Sequence, residues 1–257
     1  MIPAGRPADF GSDTVTRATP EMREAMAAAP VGDDVWGDDP TVNRLQEKVA
    51  ELTGMEAALF FSSGTQSNLS AVLSQCGRGD EYLAGSTYHL ISDEAGGAAV
   101  LGGVVPFALA VDAAGSLSGD AVREAVKVDD PHYPITRLLA LENTVSGMVQ
   151  PEALVGELAA TARTLGLRVH LDGARLFNAV VATGHPLSAF TRHVDTVSLC
   201  LSKGLGAPIG SVLAGDRVTI GRALRIRKML GGAMRQVGHI AAAGIHVRLQ
   251  TAGLASR

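Results

Sequence analysis

Cysteine is scarce. Cys76 and Cys200 are the only two in 257 residues, too few for a disulfide framework, and they fit a reducing compartment, so the expected location is the cytoplasm. There is no block of basic residues, and the formal net charge is −4. This balance argues against nucleic acid and against anionic membranes as partners. Met1 to Phe10 contains no apolar run of signal-peptide length. One uncharged stretch, Gly96 to Val111, is too short for a membrane span. Gly96, Gly97, Gly102, Gly103 and Pro106 divide it into two elements. Repeats, low-complexity tracts and an obvious linker are also missing. What is present is a hydrophobic fraction of 46%, enough to bury the core of one large domain or one and a half.

Short apolar runs alternate with longer helical patterns. Ala57–Phe61, Val104–Leu109, Leu138–Leu141, Arg168–Leu171, Thr196–Leu201 and Ser211–Ala214 read as strands. Gln66–Ser74, Gly119–Lys127 and Glu152–Leu165 read as helices, the last from the spacing of Leu154, Leu158, Ala162 and Leu165. A final helix is expected over Met234–Leu254. Such alternation predicts an α/β layered fold with a mostly parallel sheet, whose ligands gather beyond the carboxyl ends of the strands.

Three polar clusters fall at such ends. Ser62-Ser63-Gly64-Thr65-Gln66 follows a strand and opens a helix. Its backbone N–H groups suit a phosphate, although an ordinary Ser/Thr helix cap gives the same residues. In Val169-His170-Leu171-Asp172-Gly173-Ala174-Arg175, Asp172 ends a buried strand. It suits the cationic ring nitrogen of a cofactor, or alternatively a helix N-cap. Arg175 can fork to a carboxylate, or form a surface ion pair of little energetic consequence. In Ser202-Lys203-Gly204-Leu205-Gly206 a lysine leaves an apolar strand and meets glycines. Desolvated, such a lysine becomes a nucleophile toward aldehydes; solvated, it is a loop residue. Gly204, Gly206 and Gly210 imitate a dinucleotide-binding loop, but their spacing is wrong by one and no acid follows at the right distance. Taken together, the three clusters match a pyridoxal-phosphate (PLP) site.

At longer range the chain resembles the low-specificity L-threonine aldolases, which are fold-type-I, aspartate-aminotransferase-like PLP enzymes of the β-eliminating lyase family. The resemblance runs from about Ser12 to Gly244. It rests on Ser12-Asp13-Thr14-Val15-Thr16, Val31-Gly32-Asp33-Asp34-Val35-Trp36-Gly37-Asp38-Asp39-Pro40-Thr41, Glu94-Ala95-Gly96-Gly97, Leu141-Glu142-Asn143-Thr144, Asp172-Gly173-Ala174-Arg175 and Leu201-Ser202-Lys203-Gly204-Leu205-Gly206. It implies a large PLP-binding domain over residues 41–244, preceded by a segment, 1–40, that contributes to the active site. Residues 245–257 would be the start of a carboxy-terminal region that relatives continue into a small domain bearing an arginine for the substrate carboxylate.

The resemblance also implies roles. Lys203 holds PLP covalently, Asp172 pairs with the ring nitrogen, and Arg175 contacts the ring oxygen and the substrate carboxylate. Gly64 and Thr65 hold the phosphate, His89 stacks on the ring, and Ser12 touches the substrate carboxylate. His89 and His132 are the candidate proton carriers, His132 at the β-hydroxyl. Arg227, Lys228 and Arg235 lie in a segment that reaches the neighbouring subunit's site, with Arg235 on the cofactor; no metal is implied. The chain departs from its relatives at Gly11, where they usually carry an arginine, and at Val145, where some carry a histidine. The expected activity is cleavage of L-threonine and L-allo-threonine to glycine and an aldehyde by a homo-oligomer, dimeric or tetrameric. Another PLP lyase of the family, or a PLP-binding protein with little turnover, is the alternative.

Overall fold

The computed structural model describes residues 9–247. The first long helices carry their boundaries in the sequence. Helix α1 (Pro20–Ala27) has Thr19 as its cap and proline at its first position. Helix α2 (Pro40–Thr53) is capped by Asp39, whose carboxylate accepts from the N–H groups of Thr41 and Val42, and it stops at Gly54 with φ +70°. These are the start and stop signals expected of such residues.

Seven strands follow, interleaved with helices. They are β1 (Ala57–Phe61), β2 (Asp80–Gly85), β3 (Val105–Leu109), β4 (Ile135–Glu142), β5 (Arg168–Gly173), β6 (Thr196–Cys200) and β7 (Ser211–Gly215). Helix α3 (Gly64–Gln75) lies between β1 and β2, while α4 (His89–Ser92) and α5 (Gly97–Gly102) lie between β2 and β3. Then come α6 (Gly119–Ala125) before β4, α7 (Glu152–Thr164) before β5, and α8 (Leu176–Thr183) with α9 (Leu187–Thr191) before β6. Helices α10 (Arg217–Met229) and α11 (Gly238–His246) follow β7. The remainder of the helix expected over Met234–Leu254, from residue 248 onward, lies outside the described residues. So does most of the 245–257 segment.

The strands form one sheet in the order β1-β7-β6-β5-β4-β2-β3. Four of the six pairings are parallel; β7 alone runs against both its neighbours. The mostly parallel α/β sheet expected from the sequence is therefore present. The stretch Gly96–Val111 does break into two elements, α5 and β3. No helix among the described residues is long and apolar enough to cross a membrane.

Alternation along β1 shows how the layers are made. Phe60 joins the main core, while Leu59 and Phe61 meet Ala71 of α3 and Ile220 and Ala223 of α10 on the other face. Helices thus cover both faces of the sheet, and the carboxyl ends of its parallel strands are left open. This is where such folds bind ligands.

Candidate active site

Each parallel strand from β1 to β6, the edge strand β3 apart, delivers a polar residue to that open edge. Beyond β1 comes the start of α3, and beyond β2 comes His89. Strand β4 ends on Glu142, β5 carries Asp172 as its penultimate residue, and β6 is followed by Ser202 and Lys203. The carbonyl of Lys203 accepts from the hydroxyl of Thr16 at 2.7 Å and from the N–H of Gly206 at 2.9 Å. Gly206 has φ +78°, a conformation that favours glycine, so the turn holding the lysine needs that residue.

Asp172 is 2% exposed. Its Oδ1 accepts from the N–H of Ala174 at 2.9 Å and its Oδ2 from the Asn68 amide at 2.7 Å. It does not cap a helix, because α8 starts after Arg175. A buried carboxylate near the end of β5, each of whose oxygens accepts only one hydrogen bond among the described residues, fits a protonated ring nitrogen.

The start of α3 serves two purposes. Ser63 caps it, its hydroxyl accepting from the N–H of Gln66 at 3.1 Å, so the bland reading of this turn holds for that residue. Gly64 and Thr65, at the first two helical positions, find no acceptor for their N–H groups among the described residues. These free donors sit at the positive end of a twelve-residue helix. A methyl group added at Gly64 would come 3.6 Å from Ser211 Oγ, a buried hydroxyl without a partner. The donor set fits a phosphate.

The amino-terminal segment reaches this edge through Thr16 on the Lys203 carbonyl and Asp13 on Arg175. Arg175 Nε and Nη2 fork onto the two oxygens of Asp13 at 3.0 and 2.8 Å. The hydrogen bond from Arg175 holds the Asp13 carboxyl below its ordinary range, and the same bond raises the pKa of the arginine. Ser12, next to Asp13, is exposed and caps the short turn Asp13–Val15.

His89 Nδ1 lies 2.8 Å from Glu94 Oε1. That hydrogen bond raises the pKa of His89, and burial raises that of Glu94. The pair therefore keeps its shared proton over a wider pH range than a free imidazole would. His89 Nε2 has no partner among the described residues and is the nitrogen left to exchange a proton. Ligand atoms of His89, Glu94 and Asp172 lie within 4.8 Å of one another, but hydrogen bonds through Asn68 already link the two acids.

Glu142 accepts from the N–H of His89 at 2.7 Å. Burial, reinforced by the nearby charge of Asp172, pushes its carboxyl up to about 7. A raised carboxyl favours the folded state below its unfolded value near 4.5, and that contribution is lost as pH rises through about 7. In the cofactor-free protein, Glu142→Gln is thus expected to gain stability over the parent between pH 5 and pH 8, by up to about 3 kcal/mol. Urea unfolding at both pH values measures this, and an equal gap at the two would refute it.

Not every residue expected at the site is brought there. His132 sits in the turn before β4, exposed and bonded to Asp130 at 2.6 Å. The eight residues of β4 separate that turn from Glu142, a run of roughly 20 Å or more. His132 is therefore at the amino end of the sheet, away from its own chain's pocket. Arg227, in the segment expected to reach a neighbouring subunit, is 1% exposed and bonds Asp34 and the Phe60 carbonyl inside its own chain. Arg235 is exposed and paired with Asp33 at 2.7 Å. Val145 packs into the hydrophobic core.

Asn68, Glu94, Glu142 and Asp13 were not singled out in the sequence, although the last three lie in the motifs quoted there. The signal available for them was the company of apolar and glycine neighbours around a carboxylate, as in Leu141-Glu142 and Glu94-Ala95-Gly96-Gly97.

The β-eliminating lyase family model matches residues 9–256. The low specificity L-threonine aldolase of Escherichia coli (strain K12) is 54% identical over 238 residues, covering 93% of this chain and 72% of that protein. The probable low-specificity L-threonine aldolase 2 of Arabidopsis thaliana is 45% identical over 246 residues, covering 93% and 69%. Among solved structures, a threonine aldolase from Leishmania major superposes with a TM-score of 0.82 at 22% identity, over 96% of this chain and 74% of that one. That last likeness shows the fold.

Proposed function

The chain belongs to the β-eliminating lyase family, and from that premise we propose that it cleaves L-threonine, L-allo-threonine and related β-hydroxy-α-amino acids to glycine and an aldehyde, with PLP as cofactor. One observation carries the reading. Lys203, the buried carboxylate of Asp172 and the free N–H groups of Gly64 and Thr65 meet at one edge of the sheet. These are the three attachments PLP needs: an amine for its aldehyde, an anion for its ring nitrogen and donors for its phosphate.

When bound, PLP supplies an electron sink for the pair released as the Cα–Cβ bond of the substrate breaks. The chain supplies the rest. Asp172 holds the ring nitrogen, while Gly64 and Thr65 hold the phosphate. Arg175, whose Nη1 is not engaged by Asp13, takes the substrate carboxylate with the help of Ser12. His89 covers the ring and exchanges a proton through Nε2 at the substrate hydroxyl. Residues 1–40 form a segment of the site, a view supported by Asp13 on Arg175 and Thr16 on Lys203. The exposed Arg235 is assigned to a neighbouring subunit's cofactor in a homo-oligomer working in the cytoplasm.

Borohydride reduction of the PLP-loaded protein followed by peptide mapping tests the cofactor, and an acetaldehyde assay on the same sample tests the reaction. A pyridoxyl group on Lys203 together with acetaldehyde from threonine is the expected result. No adduct on Lys203 refutes the cofactor assignment. An adduct with 2-oxobutyrate and ammonia formed from threonine in place of aldehyde would move the chain to β-elimination.

A further inference from the structure

Asn68 lies one turn into α3, is 2% exposed, and has every polar group of its side chain engaged. Its amide nitrogen donates one hydrogen to Glu94 Oε1 at 2.8 Å and the other to Asp172 Oδ2 at 2.7 Å. Its amide oxygen accepts from His170 Nε2 at 3.2 Å. Turned the other way, the amide would aim an oxygen at two carboxylates, so the network fixes its orientation.

The network does not stop there. His170 Nδ1 lies 2.9 Å from Thr196 Oγ1, the residue paired with it across β5 and β6. With Nε2–H donating to Asn68, Nδ1 is the acceptor and Thr196 the donor. Full burial keeps the ring neutral, pushing its pKa down to about 4. Thr196 Oγ1 in turn accepts from Gln75 Nε2 at 3.0 Å, and Gln75 Oε1 accepts from Arg168 Nε at 2.9 Å. Arg168 is partly exposed and also bonds Asp216 at 2.7 Å.

The sequence spacing builds this line. Arg168, His170 and Asp172 alternate along β5 and so share one face of the sheet, the face that α3 covers with Asn68 and Gln75, two turns apart. Every donor points the same way: Arg168 to Gln75, Gln75 to Thr196, Thr196 to His170, His170 to Asn68, and Asn68 to Asp172. The line starts on a cation and ends on the acid. Hydrogen bonds in series polarise one another, and here each one favours negative charge at Asp172.

We propose that this one-way chain, ending in Asn68, positions Asp172 and holds it as a carboxylate, which makes Asn68 and His170 positioning residues for the acid that meets the cofactor's ring nitrogen. The proposal rests on the PLP reading above. Without Asn68, Glu94 Oε1 and Asp172 Oδ2 would lose the one amide group that donates to both.

The test is nitrogen NMR on the enzyme reconstituted with PLP labelled with 15N in the ring, alongside steady-state kinetics with threonine. In Asn68→Ala the ring-nitrogen resonance is expected to move toward the unprotonated position, with kcat down about tenfold or more and KM within about twofold of the parent. Thr196→Val, close to the parent in volume, breaks the line two links away from Asp172 and should shift the resonance the same way by less. It also serves if Asn68→Ala does not fold. A resonance that stays at the parent position in the loaded variants overturns the proposal and leaves the PLP reading intact. So does a kcat loss that only tracks PLP occupancy. A parent chain that takes up no labelled PLP overturns both.

Discussion

Lys203→Ala is expected to lower threonine cleavage by about 10³-fold or more while leaving the fold in place, because the lysine's two contributions are separable. Its backbone does the structural work: the carbonyl is the acceptor for Thr16 and for the N–H of Gly206, and alanine keeps both bonds. Its ammonium group forms no ion pair among the described residues, so its removal breaks none. The substitution should therefore change stability by less than about 1 kcal/mol. Acetaldehyde release reads the first effect, and thermal unfolding followed by circular dichroism reads the second. The pyridoxyl adduct should vanish from the mapped peptide at the same time. Turnover within tenfold of the parent would place the covalent attachment elsewhere. A collapse of the melting transition would mean that the loss of activity reports unfolding, with no bearing on the amine.

The lysine was readable because several local signals agreed around it, and the elements that were missed lacked such agreement. Strand β1 is a run of apolar residues, β4 is largely one, β5 and β6 alternate apolar with polar residues, and each is found where the sequence placed it to within a few residues. Strand β2 escaped because it opens on Asp80 and Glu81, which look like loop residues. Glu81 is nevertheless 1% exposed, bonded to Thr136 and Lys127 from the adjoining strand and its approach. Burial of a satisfied acid has no periodic signature. The reversed direction of β7 was open to inference, since only ten residues separate β6 from β7. A parallel return needs a crossover of a dozen or more.

Asn68 is the harder case. In the sequence it is one polar residue in a helix, and its partners Asp172 and His170 lie more than 100 positions away. Only the stacking of α3 on β5 brings them together. His132 is a different case. Its role came from resemblance alone, and within its own chain the strand direction carries it to the opposite edge of the sheet from Glu142.

The other large effect concerns stability. Asp34→Ala is expected to destabilise the protein by about 3–5 kcal/mol, since it leaves Arg227 charged and buried with no counter-ion. The two side chains are 5% and 1% exposed and meet at 2.8 Å. Arg227 also donates to the Phe60 carbonyl at 2.7 Å, while its Nε has no partner. Burial is the largest influence on both groups. It raises the Asp34 carboxyl and lowers the Arg227 guanidinium, so each moves toward its neutral form despite the other's attraction. Desolvation thus outweighs the mutual Coulomb gain, and this pair is a poor source of net stability. That inequality makes a sharper prediction than the single variant does. Asp34→Ala with Arg227→Met removes both charges and fills part of the space, so the double variant should be more stable than Asp34→Ala alone. It should recover at least half of the loss, and the coupling between the sites should exceed about 1 kcal/mol. Urea unfolding of the four proteins closes the cycle. Additive losses would mean that Arg227 finds water or another acceptor once Asp34 is gone, and that the link between the Asp33-Asp34 motif and α10 is not the electrostatic contact its geometry describes.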